Sequence, residues 1–200
     1  MSRFKSPFFW FILALLTTAG LTALGPQEKS LGTNIHIVYL HGAWVLTAEA
    51  VLALSAAAGL LGILFRRENL HRLSTALGYT GLFFWVTSLP LSLWAMQANW
   101  NGLFLAEPRF RVAVIFSVTG VLLQVGLTLL ARPVFASLFN VLFFAALRIG
   151  LARANYVMHP PPSPIFSSGI VSLQLFFIGI IFLTLSTAYF MTRWWLLKQR

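Results

Sequence analysis

His41 and His159 are the residues from which chemistry can be argued first. Each sits where a long apolar stretch gives way to a short polar one, His41 in Ile-Val-Tyr-Leu-His-Gly-Ala-Trp and His159 in Asn-Tyr-Val-Met-His-Pro-Pro-Pro-Ser. Neutral imidazole is a common axial ligand of haem iron, and two of them form a closed low-spin site that stores haem or moves electrons more readily than it activates oxygen. Such a pair requires both segments to emerge on one side of the elements that carry them. The run Pro160-Pro161-Pro162 removes backbone donors and favours extended chain, so it stiffens the segment around His159. Spacing alone also allows the plainer reading of His159 as part of a rigid interfacial loop.

Composition defines the elements that must position these residues. Of the 200 residues, 58% are hydrophobic and only 9% charged, with a mean hydropathy of +0.83. A soluble domain of this length has no means of covering so much apolar surface. The apolar runs are of about 20 residues, the length that crosses a hydrocarbon core as a helix. The fold class expected is therefore all-α, a polytopic membrane protein forming one domain. The net charge of +10 is spread in small groups at the ends of apolar runs, which suits membrane orientation and not a nucleic-acid stripe. No cysteine is present, so thiol redox chemistry, thiolate metal sites and covalent Cys-x-x-Cys-His haem attachment are excluded for this chain. With four acidic residues and no phosphate loop, nothing suggests an enzyme.

Six spans are predicted: Pro7 to Gly25, read as retained and not as a signal peptide, then Ile37 to Phe65, Ala76 to Met96, Ala113 to Leu130, Val134 to Ala152 and Phe166 to Met191. In this arrangement Arg3, Lys5, Arg66, Arg67, Arg72, Arg132, Arg193, Lys198 and Arg200 share one side, against Lys29, Arg109, Arg111, Arg148 and Arg153 on the other. The excess places both termini in the cytoplasm of a bacterial-type inner membrane. His41, the connection from Trp94 to Arg111, and His159 then share the outer face, as a two-histidine site requires.

Three segments, in order, resemble the CcmC-type cytochrome c assembly proteins, haem-handling membrane proteins of cytochrome c maturation. Ile37-Val38-Tyr39-Leu40-His41-Gly42-Ala43-Trp44 is similar to the histidine segment opening that family's second span. Trp94 to Arg109, with Glu107 and Arg109 seven and nine residues beyond Trp100, is similar to its tryptophan-rich loop. Tyr156-Val157-Met158-His159-Pro160-Pro161-Pro162-Ser163 resembles its second histidine segment. Leu103, Phe104, Leu105 and Ala106 stand where the family has tryptophans, and Glu107 where it has aspartate. The resemblance implies non-covalent haem b with His41 and His159 as axial ligands and Trp94, Trp100, Glu107 and Arg109 beside it. It also implies a periplasmic haem carrier as partner, along with lipid or other membrane subunits.

Other residues carry smaller expectations. A guanidinium fork suits haem propionates, so Arg109 is a candidate for them, with interfacial anchoring as the alternative; for Arg111, anchoring is preferred. His36 turns about 140° from His41 on a helix and reads as a solvated or supporting neighbour. His71, in the basic turn from Arg66 to Arg72, reads as a solvated interfacial residue. Trp44, Trp85, Trp94 and Trp100 also suit an interfacial aromatic belt, as do Trp194 and Trp195 on the inner side. Glu49 lies about 12 Å deeper than His41 in an apolar stretch, where an acid is a functional candidate; it is expected either to pair with Arg148 or to be protonated. Ser55, Ala56, Ala57, Ala58, Gly59 and Gly62 suggest close helix packing. The competing reading for the whole chain is a non-catalytic subunit of a respiratory or photosynthetic membrane complex that kept the fold and lost the tryptophan-rich surface.

Overall fold

The computed structural model describes residues 6–130, 132–157 and 164–199. The expectations placed on Arg3, Lys5, His159, the run Pro160-Pro161-Pro162 and Arg200 lie outside these residues. Among the described residues six α-helices follow one another: α1 (Pro7–Ala23), α2 (Ile35–Phe65), α3 (Glu68–Trp100), α4 (Pro108–Leu130), α5 (Pro133–Arg153) and α6 (Val171–Lys198). Helices α2 to α6 are long and apolar enough to cross a membrane, so the chain is a multi-pass helical membrane protein. Helix α1 is apolar but has 17 residues, about 26 Å, just short of the usual crossing length.

Local signals explain where the helices stop, and several expected boundaries are corrected. Helix α3 does not end at Met96 but continues to Trp100, because Gln97, Ala98 and Asn99 carry nothing that breaks a helix. It stops at Asn101, which takes the left-handed conformation at φ 51°. Trp94 and Trp100 therefore lie on a helix, and the connection to α4 shrinks to residues 101–107. At its other end α3 starts at Glu68, ahead of the apolar run, with Glu68 and Arg72 paired one turn apart at 3.6 Å. Helix α4 starts at Pro108, where proline suits the first turn. Helix α6 starts at Val171 instead of Phe166. The preceding residues are taken up by a turn in which the Ser167 and Ser168 hydroxyls bond the Pro164 and Ile165 carbonyls, followed by Gly169 at φ 70°.

The helices alternate in direction, and α2 and α3 form the centre of the bundle. Small residues let them approach their neighbours. A Cβ on Gly59 would stand 2.8 Å from the Ser137 carbonyl oxygen of α5, and one on Gly62 would stand 2.9 Å from the His71 ring of α3. The main apolar core gathers Phe11, Trp44, Val51, Leu52, Phe84, Trp85, Leu147 and Met191. A second cluster at the His41 end joins Ile35, Tyr39 and Ala43 of α2 to Ile165 and to Leu173, Phe177 and Ile180 of α6.

Three sequence expectations are overturned by this packing. Trp85 is 2% exposed and donates its indole N–H to the Ala113 carbonyl at 3.2 Å; Trp44 is 5% exposed, bonds the Thr87 hydroxyl at 2.8 Å and packs on Phe84. Both belong to the core and not to an interfacial belt, because each indole N–H finds an acceptor inside the bundle. His71 is likewise buried, not solvated, with Nδ1 bonded to the Ser137 hydroxyl at 2.7 Å. That bond is one strand of a polar network in the Arg66 half of the bundle. Ser55 and Ser74 exchange hydroxyl-to-carbonyl bonds across α2 and α3, Asn140 donates to both the Ser74 carbonyl and its hydroxyl, and Gln124 of α4 reaches Asn140 at 3.4 Å.

Candidate functional site at the His41 end

Three chain connections meet at the end of the bundle that carries His41, and each is fixed by side chains of the helices it joins. Pro26 and Gly25, leaving α1, are held by α2: Tyr39 donates its hydroxyl to the Pro26 carbonyl at 3.0 Å, and His36 Nε2 lies 2.9 Å from the Gly25 carbonyl. His36 thus serves the loop. Glu28 closes the tight turn that follows, accepting the backbone N–H groups of Ser30 at 2.8 Å and Leu31 at 3.1 Å as well as the Ser30 hydroxyl. These bonds favour the ionised carboxyl and hold it below the usual carboxylate range, the Ser30 hydroxyl first among the causes. Asn34 then ties the start of α2 to the end of α3, donating to the Ala98 carbonyl at 2.6 Å.

Glu107 and Arg109 tie the other two connections together. Glu107 precedes Pro108, and its carbonyl accepts the Arg111 N–H at 3.0 Å, so it stands at the cap of α4, where an acidic side chain meets the positive end of the helix. It is 3% exposed, and its carboxylate lies 3.4 Å from the Val157 N–H. Arg109, in the first turn of α4, reaches the last turn of α5. Its guanidinium donates to the Leu151 carbonyl at 3.4 Å and the Tyr156 hydroxyl at 2.9 Å, and sits 4.6 Å from the Tyr156 ring centre. A cation there satisfies a carbonyl that the helix leaves open and complements its negative end. Tyr156, which spacing did not single out, is therefore the residue through which Arg109 holds the segment leading to His159.

The aromatic residues around this cluster do not form a continuous platform. Trp94 is 61% exposed on α3. Trp100, six residues on and thus on another face of the helix, is half-buried and meets Phe104 edge-on at 5.9 Å. His41 lies between the cluster and the core: it is half-buried, its Nδ1 is shielded from solvent, and the adjacent Gly42 abuts the Phe177 ring. With one ring nitrogen shielded from solvent, the other is the atom that a haem iron would have to reach. The environment of Glu107 and Arg109 fits less directly, because both are engaged with residues 151–157. A propionate would have to take Arg109 from Tyr156. Among the described residues, no group of three or more His, Asp or Glu side chains is arranged to hold a metal ion.

Deeper in the bundle, Glu49 bonds Arg148 of α5, the partner expected for it if it is ionised. Glu49 is only 22% exposed while Arg148 is 51% exposed, so the pair sits on the flank of the helices with its cation outward. Searches against protein-family models, curated proteins and solved structures give no match for this chain.

Proposed function

We propose that this chain is a haem-binding membrane protein that holds haem b at the outer face for cytochrome c maturation, with His41 and His159 as axial ligands. The observation that carries this reading is the arrangement of the His41 end. Arg109 and Glu107 tie residues 156 and 157, the segment that leads to His159, to the end of the bundle where a shielded His41 lies. The reading includes six spans with both termini cytoplasmic, in a bacterial-type inner membrane. Helix α1 supports the sixth span: Phe8 meets Trp194, Trp10 stacks near Phe190, and Gly25 abuts Phe176, so α1 runs beside most of α6 despite its length. Trp100 and Phe104 would border the haem, and delivery would be to a periplasmic carrier.

A second reading, a structural subunit of a larger membrane complex, is favoured by the outward-facing Arg148 and the exposed Trp94, which suit contact with a neighbouring subunit. The visible spectrum of the purified chain, reduced and oxidised, separates the readings when recorded beside His41→Ala and His159→Ala. The haem reading expects a low-spin spectrum that weakens or turns high-spin in both variants. A colourless wild type, or haem indifferent to both changes, would overturn it and leave the subunit reading, which expects fixed stoichiometry with a complex.

A further inference from the structure

We propose that the recess at the opposite, Arg66 end of the bundle is a binding site for an anionic phospholipid, with the phosphodiester on Arg66 and the acyl chains along the α2–α5 seam. The recess, of about 260 Å³, is lined by Ile63, Arg66, Glu68, His71 and Val134. It has the space of several water molecules, enough for a head-group phosphate. The acid in its wall is compensated, because Glu68 pairs with Arg72 at 3.6 Å. His71 is fixed in the wall by its bond to Ser137. Arg67 and Arg132 flank the lining residues in sequence, so the local balance is cationic. This is the charge that anionic head groups seek between transmembrane helices.

Arg66 itself is the most informative residue of the recess. It ends α2 in the left-handed conformation at φ 52°, which glycine adopts without steric cost and a side chain with Cβ does not. Keeping arginine there retains a planar fork of donors matched to a phosphate, at the level where helix ends meet lipid head groups. From the recess an exposed apolar stripe runs inward along both helices. Ile63 and Leu60 lie one turn apart on α2, and Val134 and Leu138 one turn apart on the antiparallel α5; all four are exposed. A free phosphate would use the cation and ignore the stripe, whereas a phospholipid uses both.

The test is retention of acyl-labelled phosphatidylglycerol against phosphatidylcholine with the same chains, on the immobilised full chain in detergent. The wild type should prefer the anionic lipid, and Arg66→Gly should reduce its retention by about fivefold, the effect of one cation near a lipid surface, with phosphatidylcholine unchanged. Arg66→Gly relieves the left-handed backbone, so its melting temperature should equal or exceed that of the wild type, and lost binding is not lost folding. Arg111→Gln, at the other end, should leave retention intact. Equal retention of the two lipids, or an anionic preference unaffected by Arg66→Gly, would overturn the proposal. So would release of phosphatidylglycerol by millimolar inorganic phosphate but not by chloride at matched ionic strength, which would mark a simple phosphate site.

Discussion

The two ends of the bundle use polar residues for different purposes. In the Arg66 half, Ser55, Ser74, Ser137, Asn140, His71 and Gln124 bond one helix directly to another, and glycines bring the backbones close enough for them to do so. At the His41 end, Tyr39, His36, Asn34, Glu107 and Arg109 bond helices to chain connections, Arg109 through Tyr156 in addition to its bond to the last turn of α5. The first arrangement fixes crossing positions and tolerates little change. The second holds loops through a few separable bonds, and such loops can rearrange around a ligand while the bundle stays intact. This contrast is the physical reason for seeking function at the His41 end.

The sharpest way to break the comparison is to overfill the seam at Gly59. Gly59→Val places carbon where the Ser137 carbonyl stands 2.8 Å from the ideal Cβ, with the Ser74 hydroxyl at 2.9 Å. Thermal unfolding in detergent should show a loss of about 3 kcal/mol. Gly126 of α4 has nothing within 4 Å of such a Cβ, so Gly126→Ala should stabilise by about 0.5–1 kcal/mol through helix propensity. If both glycines gave the same sign, close packing would not be what distinguishes the Arg66 half. Next in size is Asn140→Leu, which removes two donors to Ser74 and the acceptor for Gln124. It should cost about 1–2 kcal/mol in the same assay.

How much of this was legible in the sequence follows the same division. The apolar runs and the glycine-rich stretch near Gly59 pointed to a multi-pass helical protein and to tight packing, because hydropathy and side-chain size act locally. The pairing of Glu49 with Arg148 was among the expectations for the same reason: a carboxylate among apolar residues has few possible partners. The burial of His71 was missed because its basic neighbours point to the surface, while its own side chain turns inward toward Ser137, 66 residues away. A better signal was available in the spacing of His71 with Ser74 and of Ser137 with Asn140. Each pair lies three apart and hence on one helix face, where polar residues in apolar helices usually meet each other. Trp44 and Trp85 were misjudged because an indole suits both an interface and a core, and only the acceptors Thr87 and Ala113 decide between them. At the His41 end, the role of Tyr156 depends on the reach of Arg109 across a loop, which periodicity does not encode.

Changes at the His41 end should be smaller and local. Tyr156→Phe deletes the hydroxyl that accepts from Arg109 but keeps the ring beneath the guanidinium. Global stability should fall by less than about 1 kcal/mol. Amide exchange should quicken at residues 154–157, with the interiors of α2 and α5 unchanged. A large loss of global stability would mean that this end is as interlocked as the other.

The smallest expected effect concerns the Glu28 turn and has a definite sign. An unfolded glutamate here would titrate near 4.5, and the folded carboxyl titrates below that value because Ser30 and Leu31 donate to its ionised form. The folded turn therefore gains from an ionised Glu28 in full above 4.5, and the gain disappears as the pH falls through the lower, folded value. Amide exchange of residues 28–34, corrected for intrinsic rates, should show constant protection from neutral pH down to the mid-fours and a decline below. The interior of α2 should show no such step, and Glu28→Gln should abolish the step at 28–34. A decline already under way near neutral pH, or a step that survives Glu28→Gln, would mean that the Glu28 carboxylate is not what holds this turn.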